Sequence, residues 1–492
     1  MIKNILLGIL FLWNIATFSQ NVSGIIKNKQ TQEPIPYVTI QINTNYGTIS
    51  NEEGNFSLNI EKFTEDTLVK FSCIGFKTKE IKIKDVSETV FLEEQIVNLD
   101  EVDIDNQKQL TEKEIILKVT ENLSQNYDDL VNTKQKIFTR LRTENNIKKL
   151  KLVIDKSKNY DKTLIQRFNK LLDSIKKPMI ANNDISYRDV LYNLYHKSKD
   201  SIKIALQKAT HLSNPDLNFS MDKLQEKFKN VFMKLYTDKV FKVKIAFFKV
   251  QDSLKISDME GDKKDNKPKI YPVEILYKTK GIFKNTVYRK NDLFAEVLNT
   301  KKYEYTTVNT LYFNNELVYE IDYKPRKTSA LYSGKMYVSD ETFAILKLDF
   351  TMRKGKKLEG VNLKWVGFKY KIYNWKGSIE FYKRDNDKYA PKYIRQSKDM
   401  YSYVKMPFKF IENTKAKNKL KFKLKTQIEN IVNEKQEFLF LENNTLSNTE
   451  YKAVSVQKDF PIQILKKYNP NIWKQYNIIA PTQSILDYQV SE

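Results

Sequence analysis

The chain has 492 residues with one cysteine and two histidines, and 84 Lys and Arg against 60 Asp and Glu give a formal charge of +24. A single cysteine excludes an internal disulfide and a structural zinc site built from several thiolates, and the length predicts two or three domains. Only nine of the basic residues are Arg. The charge therefore favours attraction to anionic surfaces over the forked hydrogen bonding by which nucleic-acid-binding proteins read bases.

Residues 1–19 have the features of a secretory signal. Lys3 supplies the positive start, Ile5 to Trp13 the apolar core, and Thr17 and Ser19 the small residues before the cleavage site. This core is shorter than the roughly 20 apolar residues that span a bilayer. We expect an exported protein cleaved before Gln20, without a lipid-modified N-terminus or a later transmembrane span. The predicted location is the periplasm or the periphery of the outer membrane.

Residues 20–97 alternate short apolar strands with turn signals, which predicts an all-β sandwich. The most informative segment is Gly47 to Leu58, where the turn Asn51-Glu52-Glu53-Gly54 precedes the alternating strand Asn55 to Leu58. Glycine at this place suits a backbone that turns through positive φ. Further strands are predicted at Val22 to Ile26, Tyr37 to Ile42, Leu68 to Cys73, Thr78 to Ile83 and Val90 to Leu92.

Five sequence blocks follow one another in a set order and spacing: Gly24, Glu33 to Ile40, Gly47 to Leu58, Cys73 to Phe76 and Leu99 to Val102. In these blocks the chain resembles the carboxypeptidase regulatory-like domain. The resemblance implies a transthyretin-like sandwich of the kind found in the outer envelope of Gram-negative bacteria. It also implies a docking module without catalytic residues, whose name comes from accompanying a zinc carboxypeptidase.

After a polar linker at residues 98–110, apolar residues recur at helical spacing and predict a mainly helical region at 111–236. Thr111 and Glu114 form a capping box before Ile115, Ile116, Val119 and Leu123. A second helix contains Leu164, Ile165, Phe168, Leu171, Leu172 and Ile175 and is expected to end at Pro178. Shorter helices are predicted at Tyr187 to His196, Ser201 to Leu212 and Met221 to Tyr236.

Residues 240–445 are predicted to form an antiparallel sheet domain, because apolar and aromatic residues alternate with period two. The predicted strands are Tyr271 to Tyr277, Lys302 to Val308, Leu317 to Tyr323, Leu331 to Val338, Phe343 to Phe350 and Leu363 to Tyr373, with a β-bulge at Val366-Gly367. The hairpin Leu331 to Phe350 resembles a strand pair of periplasmic lipoprotein-carrier proteins, which implies an open groove for acyl chains; an ordinary sealed sheet core is the alternative. The apolar tail at 446–492 is expected to pack on this sheet.

Six alternating lysines form the most regular charge pattern in the chain: Lys415, Lys417, Lys419, Lys421, Lys423 and Lys425. On one strand all six would point to the same side. They either protect an exposed edge strand from aggregation or form a basic strip for anionic glycolipid or acidic glycan.

The residue patterns of the commonest enzyme classes are absent from the sequence. His196 and His211 lack the spacing and the glutamate of a zinc protease, so no carboxypeptidase zinc site is predicted. Carboxylate pairs such as Asp385 with Asp387, or Asp340 with Glu341, do not stand out among 60 acidic residues. No catalytic residue, metal site or cofactor is predicted.

The sequence thus predicts a multidomain α+β protein: an N-terminal sandwich, a helical middle segment and a C-terminal antiparallel β-rich domain. The predicted function is binding or docking in the cell envelope without catalysis, and the expected partners are envelope proteins, anionic glycolipid or glycan, and not nucleic acid. The alternatives are a periplasmic lipid or lipoprotein carrier and a hydrolase of cell-wall or surface polymers. The sequence makes no prediction of the oligomeric state.

Overall fold

A computed structural model describes residues 21–97, 110–127, 129–158, 162–181, 184–198, 200–214, 239–245, 248–255, 268–286, 293–314 and 316–490. The predicted signal peptide, nearly all of the predicted linker and the predicted helix at Met221 to Tyr236 lie outside these residues. The chain forms two compact units. The first contains the described part of residues 1–101 with Leu311–Leu317 and Asn469–Asp487, and the second contains the described part of the remainder.

The first unit is built on a β-sandwich, as the sequence predicts. Its strands are β1 (Asn21–Asn28), β2 (Thr39–Asn43), β3 (Tyr46–Ile49), β4 (Asn55–Asn59), β5 (Leu68–Ser72), β6 (Lys79–Lys82), β7 (Thr89–Leu92) and β8 (Ile96–Val97), with a 3₁₀ turn at Ile83–Asp85. They form two sheets, with the orders β4-β1-β7 and β3-β2-β5-β6. The inner residues of both sheets make one apolar core that includes Ile26, Val38, Ile40, Phe56 and Phe71. Cys73 follows β5 and packs against this core.

The turn between β3 and β4 is held by the side chain of Asn51. Its Oδ1 accepts hydrogen bonds from the backbone N–H groups of Glu53 and Asn55, both at 2.9 Å. Gly54 has φ +78°, and a Cβ atom there would lie 2.8 Å from the carbonyl oxygen of Ile26. Both the conformation and the lack of space require glycine.

Much of the C-terminal tail belongs to the first unit, which corrects the prediction that the whole tail packs on the sheet domain. The Thr48 hydroxyl donates to the carbonyl of Ile478 at 2.8 Å, and the Asn51 amide donates to the carbonyl of Pro481 at 2.9 Å. Tail carbonyls thus satisfy buried donors at the end of β3. This tail segment contains a 3₁₀ turn at Pro470–Ile472 and a short helix at Gln483–Leu486.

The second unit is built on one large, mainly antiparallel sheet with helices. The chain from residue 110 forms α1 (Glu112–Asn126), α2 (Lys162–Ala181), α3 (Pro272–Thr286), α4 (Leu293–Val297) and α5 (Asn448–Ala453). The strands are β9 (Thr133–Lys158), β10 (Asp184–His196), β11 (Ile202–Leu212), β12 (Val240–Ile245), β13 (Phe248–Lys255), β14 (Lys269–Ile270), β15 (Tyr303–Phe313), β16 (Glu316–Pro325), β17 (Tyr332–Ser339), β18 (Ile345–Met352), β19 (Glu359–Leu363), β20 (Phe368–Lys383), β21 (Tyr389–Glu412), β22 (Lys421–Thr445), β23 (Phe460–Pro461) and β24 (Gln463–Leu465). The large sheet has the order β24-β11-β10-β9-β22-β21-β20-β18-β17-β16-β15. In addition, β12 pairs with β13 and β21, β19 pairs with β20, and β14 pairs with β23.

The prediction of a separate helical region at 111–236 is wrong. Only α1 and α2 are helices among its described residues, and β9, β10 and β11 are neighbours in the large sheet. The segments Tyr187 to His196 and Ser201 to Leu212 pair with each other as antiparallel strands. Because β10 is buried on both faces over most of its length, its apolar residues do not alternate, and the pattern imitates a helix.

Three local predictions also need correction. The predicted strand Tyr271 to Tyr277 is the start of α3, which begins at Pro272, a residue suited to the first helical turn. The helix α2 continues to Ala181, so Pro178 does not end it. At Val366-Gly367 the chain reverses between β19 and β20 through the 3₁₀ turn Lys364–Val366 rather than forming a bulge within one strand.

Two local predictions are confirmed. The capping box of α1 is present, since Thr111 Oγ1 accepts from the Glu114 N–H at 3.3 Å and Glu114 accepts from the Thr111 N–H at 2.8 Å. The strands β17 and β18 form the predicted antiparallel hairpin. None of the described helices has the length and apolar character needed to cross a lipid bilayer.

The turn at Gly54 gives a stability prediction. Gly54→Ala places a Cβ against the Ile26 carbonyl at positive φ, so we expect a loss of about 1–3 kcal/mol in the free energy of unfolding of the first unit. The control is Gly281→Ala in α3, where a Cβ meets nothing within 4 Å and a gain of about 1 kcal/mol is expected. Differential scanning calorimetry of both variants measures the two shifts. An unchanged transition in Gly54→Ala would contradict the role of the turn.

Candidate functional site

The six alternating lysines from Lys415 to Lys425 do not all lie on one strand. Lys421, Lys423 and Lys425 lie on β22, where Phe422 and Leu424 between them are buried. Lys415, Lys417 and Lys419 lie in the connection from β21 to β22. β22 pairs with β21 on one side and β9 on the other, so it is not an edge strand and the edge-protection explanation does not apply to it.

The register of the sheet brings further lysines beside those of β22. Lys409 on β21 lies directly opposite Lys423, and Lys244 on β12 lies directly opposite Lys409. Directly opposed side chains on adjacent strands have Cβ atoms about 5 Å apart, and like charges in that position destabilise the pair. We call Lys244, Lys409 and Lys423 the lysine row. No ion pair to any of the three occurs among the described residues.

The lysine row lies within a larger basic surface, because side chains alternate along each strand. We define the lysine face as Lys149, Lys151, Lys242, Lys244, Lys405, Lys409, Lys421, Lys423 and Lys425. One carboxylate lies within the face, because Glu429 is directly opposite Lys149, and a second one nearby, Glu412, pairs with Lys239 at 2.9 Å. Nine lysines against these carboxylates leave the face with a large excess of positive charge.

The opposite side of the same strands is apolar. Leu152, Phe241, Phe410, Phe422 and Leu424 belong to one buried cluster. Leu172 of α2 lies in this cluster and Ile165 packs against it, so α2 covers the apolar side. At this end of the sheet the apolar side is a core covered by a helix. On the lysine face, by contrast, five of the lysines are exposed: Lys149, Lys151, Lys405, Lys409 and Lys421.

The turn between β19 and β20 adds exposed apolar residues next to the lysine face. Trp365 is 84% exposed, and Leu363 and Val366 are 42% and 51% exposed. We call these three residues the hairpin tip. Lys364 in the same turn places its Nζ 5.1 Å from the ring centre of Tyr403, which lies on β21 two residues before Lys405. The hairpin tip thus borders the lysine face.

A row of charged residues crosses another part of the same side of the sheet, and no sequence pattern predicts it. Arg140 on β9 pairs with Asp189 on β10 at 2.8 Å, and both side chains are buried. Burial disfavours the charge on Arg140, but the adjacent carboxylate of Asp189 outweighs this effect and raises the pKa of the guanidinium. The row continues through Glu437, which accepts from the Tyr393 hydroxyl at 2.6 Å. Only the strand register shows that these residues are neighbours.

The histidines and carboxylates considered in the sequence as catalytic or metal-binding candidates do not lie together in one site. His196 is buried on β10 and stacks on Phe283 at 6.4 Å, whereas His211 lies on β11 opposite Arg188. Asp340 accepts a hydrogen bond from Tyr319, and Asp387 in an exposed turn pairs with Lys383 at 3.2 Å. Among the described residues no group of His, Cys, Asp and Glu is arranged to hold a metal ion.

Comparison with known protein families concerns the first unit. Residues 22–104 match the family model of the CarboxypepD_reg-like domain. The match begins in β1 and includes β2 to β8, the two sheets of the sandwich described above. The N-terminal sandwich is a CarboxypepD_reg-like domain. As a regulatory-like domain it is not a catalytic unit.

The remaining comparisons add little about the second unit. No curated protein matches the chain. One similar solved chain comes from "The complex structure of Pseudomonas aeruginosa MucA/MucB", with 6% identity and a TM-score of 0.16 over 71% of this chain and 98% of that chain. So low a TM-score carries no argument about fold or function, and the resemblance of the sheet to lipoprotein carriers stays a prediction.

In the CarboxypepD_reg-like domain, the turn between β3 and β4 also binds the C-terminal tail. Asn51 closes the turn between β3 and β4 with its carbonyl oxygen, and its amide group holds the tail at Pro481. Glu53 in the same turn accepts from the backbone N–H of Gln483 at 2.9 Å. The first unit therefore joins the domain to the tail residues Asn469–Asp487.

One buried lysine in the second unit is a site of electrostatic strain. Lys392 is 3% exposed and lies at a register shift where β20 and β21 pair irregularly. Its ammonium group lies 5.6 Å from the ring centre of Tyr382, and no carboxylate pairs with it among the described residues. Burial lowers the pKa of Lys392 to about 8.

This lysine gives a pH prediction. An unfolded lysine titrates near pH ~10.4, so between about pH 8 and 10.4 the unfolded chain binds more protons and stability rises with pH. Lys392→Met removes the buried charge and should stabilise the fold by about 3 kcal/mol at pH 7. The advantage of the variant should shrink as the pH rises through this window.

Urea unfolding of wild type and Lys392→Met at pH 7, 8, 9 and 10 measures this difference. The matched control is Lys376→Met on β20, a lysine that is not buried, for which we expect little change at any pH. A difference between wild type and Lys392→Met that is constant from pH 7 to 10 would contradict a lowered pKa.

Proposed function

We propose that this protein is a non-catalytic binding protein of the cell envelope and that its large sheet attaches to an anionic lipid surface through the lysine face. The observation that carries the proposal is the lysine row. Three lysines lie in register on adjacent strands, where each adjacent pair repels by about 1 kcal/mol in water. A partner with closely spaced negative charges would remove this repulsion.

The lysine face is expected to bind an anionic membrane with a large favourable free energy. A lysine near an anionic membrane surface contributes about 1 kcal/mol, and the lysine face contains nine of them. The attraction acts over about 10 Å at moderate ionic strength and weakens as salt rises. The proposed binding is therefore reversible and depends on salt.

The hairpin tip favours a lipid surface over an acidic glycan. Trp365, Leu363 and Val366 are exposed apolar residues beside basic ones. Tryptophan is enriched where a protein meets the polar headgroups of a membrane, and apolar side chains next to lysines are typical of interfacial binding. A hydrated polysaccharide can stack a sugar ring on a tryptophan, but it offers no continuous apolar layer into which all three side chains could insert.

The CarboxypepD_reg-like domain has a different role from the large sheet. It would dock to envelope proteins, as the family resemblance implies, while the sheet holds the lipid surface. Export, as predicted from residues 1–19, would bring the protein to such a surface.

The lysine row gives the first test. We expect the chain of residues 20–492 to sediment with vesicles of phosphatidylcholine and phosphatidylglycerol, and to stay in solution with phosphatidylcholine alone or at high salt. The triple variant Lys244→Gln, Lys409→Gln and Lys423→Gln should weaken binding to the anionic vesicles by about 100-fold.

The matched control changes three exposed lysines away from the lysine face, Lys62→Gln, Lys77→Gln and Lys301→Gln. It has the same net charge as the row variant and should bind almost as well as wild type. Equal losses in both variants would mean that net charge alone acts, and binding to a polyuronate without binding to vesicles would replace lipid with glycan as the partner.

The hairpin tip gives the second test. Trp365 is exposed whereas Trp375 is 3% exposed, so vesicle binding should shift the fluorescence of Trp365 to shorter wavelength and allow quenching by brominated lipid. Trp365→Ala should abolish this change and weaken binding by about tenfold or more, with unchanged thermal unfolding. An unaltered spectrum of wild type on bound vesicles would show that the tip stays in water.

A further inference from the structure

The strand β19 has a backbone edge that no other strand extends. It pairs with β20 alone, over Glu359 to Leu363, and no backbone hydrogen bond joins it to another strand among the described residues. The N–H and C=O groups on its other edge therefore have no strand partner. An edge of this kind can pair with a strand of another chain.

This edge is open to solvent. Four of the five residues of β19, which are Glu359, Val361, Asn362 and Leu363, are exposed. Elsewhere in the sheet a helix occupies a backbone donor, since the Thr307 N–H in β15 donates to the Glu112 carboxylate of α1 at 3.2 Å. Because β19 has no such cover, a partner can reach its backbone.

The side chains at β19 add apolar surface to the edge. Val361 is 48% exposed, and Leu358, directly before the strand, is 40% exposed. The strand itself contains no lysine or proline, the residues with which edge strands commonly block pairing. A strand laid along β19 would remove part of this apolar surface from water, which favours its binding.

The charges around β19 select the chemistry of the partner. The segment from Arg353 to Lys364 has five basic residues and one acidic residue. A second copy of this chain is disfavoured, because antiparallel pairing brings Lys356 and Lys357 of one copy beside Lys364 of the other. Parallel pairing would bring each lysine beside the same lysine of the second copy. Acidic residues at the ends of a partner strand would instead be attracted to these lysines.

We propose that β19 binds an extended segment of a partner protein as an added strand, and that this segment has apolar residues at alternate positions and acidic residues at its ends. The open backbone edge supplies the hydrogen bonds, and Val361 and Leu358 supply apolar contacts. The flanking lysines provide the selection by charge. This interaction goes beyond the proposed lipid binding and does not depend on it.

Fluorescence anisotropy with labelled peptides tests the edge on the chain of residues 20–492. The acidic peptide has the sequence DEVTVTVED, a basic peptide has lysine in place of each acidic residue, and a third peptide is the acidic one with its central amides N-methylated. We expect saturable binding of one acidic peptide per chain. The other two should bind about tenfold more weakly or less, since N-methylation removes the donors needed for strand pairing.

The same titrations can contradict the proposal. Failure of the acidic peptide to bind, or equal binding of the N-methylated peptide, would overturn the addition of a strand. Equal binding of the basic peptide would overturn the selection by charge. Amide hydrogen exchange gives a second readout: the bound acidic peptide should slow exchange in β19 and leave exchange in β15 unchanged.

Variants locate the site. Val361→Ser should weaken binding of the acidic peptide by about tenfold, because it removes an apolar side chain that the added strand covers. The matched control is Val308→Ser on β15, where Val308 is 45% exposed, and it should bind like wild type. Both valines are exposed, so neither change is expected to disturb folding. Equal affinity in the two variants would overturn the assignment to β19.

The lysine-row triple variant separates this edge from the lysine face. It should bind the acidic peptide almost as well as wild type, and Val361→Ser should bind anionic vesicles like wild type. Loss of peptide binding in the lysine-row variant would place the peptide on the lysine face and refute the assignment. Retained peptide binding without vesicle binding would refute the lipid proposal alone.

Analytical ultracentrifugation tests the remaining occupant of the edge. We expect no dimer that depends on β19. Dimerisation that rises with concentration and is abolished by Val361→Ser would replace the partner segment with a second copy of the chain.

Discussion

The pairing of β22 with β9 on one side and β21 on the other is the interaction on which the second unit depends. All three strands exceed twenty residues, and their register runs almost unbroken from Lys421 to Leu439 against β21. Because successive side chains point to opposite sides, this register decides which residues enter the core under α2 and which form the lysine face. A slip by one residue would exchange Phe422 with Lys423, so the buried apolar side fixes the position of the charges.

The charged residues on one side of this sheet have two different arrangements, one at each end. Toward β10 the charged residues alternate in sign, and Arg140 is neutralised by Asp189 within the fold. Toward β12 the opposed residues are Lys244, Lys409 and Lys423, all of one sign. The first arrangement is complete without a partner, since buried charges are tolerated when they are paired. The second is incomplete by itself, which is why we assign recognition to this end of the sheet.

The sequence predicts local structure well where a short motif decides it. The Asn51 to Gly54 turn and the Thr111–Glu114 capping box depend on residues close in the chain, and both are present. Prediction from the sequence fails where tertiary contacts determine the secondary structure. The strand β10 is buried on both sides, so its residues lack the apolar–polar alternation of an ordinary strand. The lysines of β22 are visible in the sequence, but their neighbour Lys409 depends on register.

The long pairing of β9 with β22 also constrains how the protein forms. The two strands are joined over almost their full length, yet they lie about 300 residues apart along the chain. Closing so large a loop costs conformational entropy before the contacts between the two strands can stabilise it, so the sheet is expected to fold slowly. During synthesis, β9 has no partner on this side until the last fifth of the chain is made. Throughout that interval the cluster of Leu150, Leu152 and Ile154 lacks its members from β21 and β22, and a chaperone that masks it would protect the unfinished chain from aggregation.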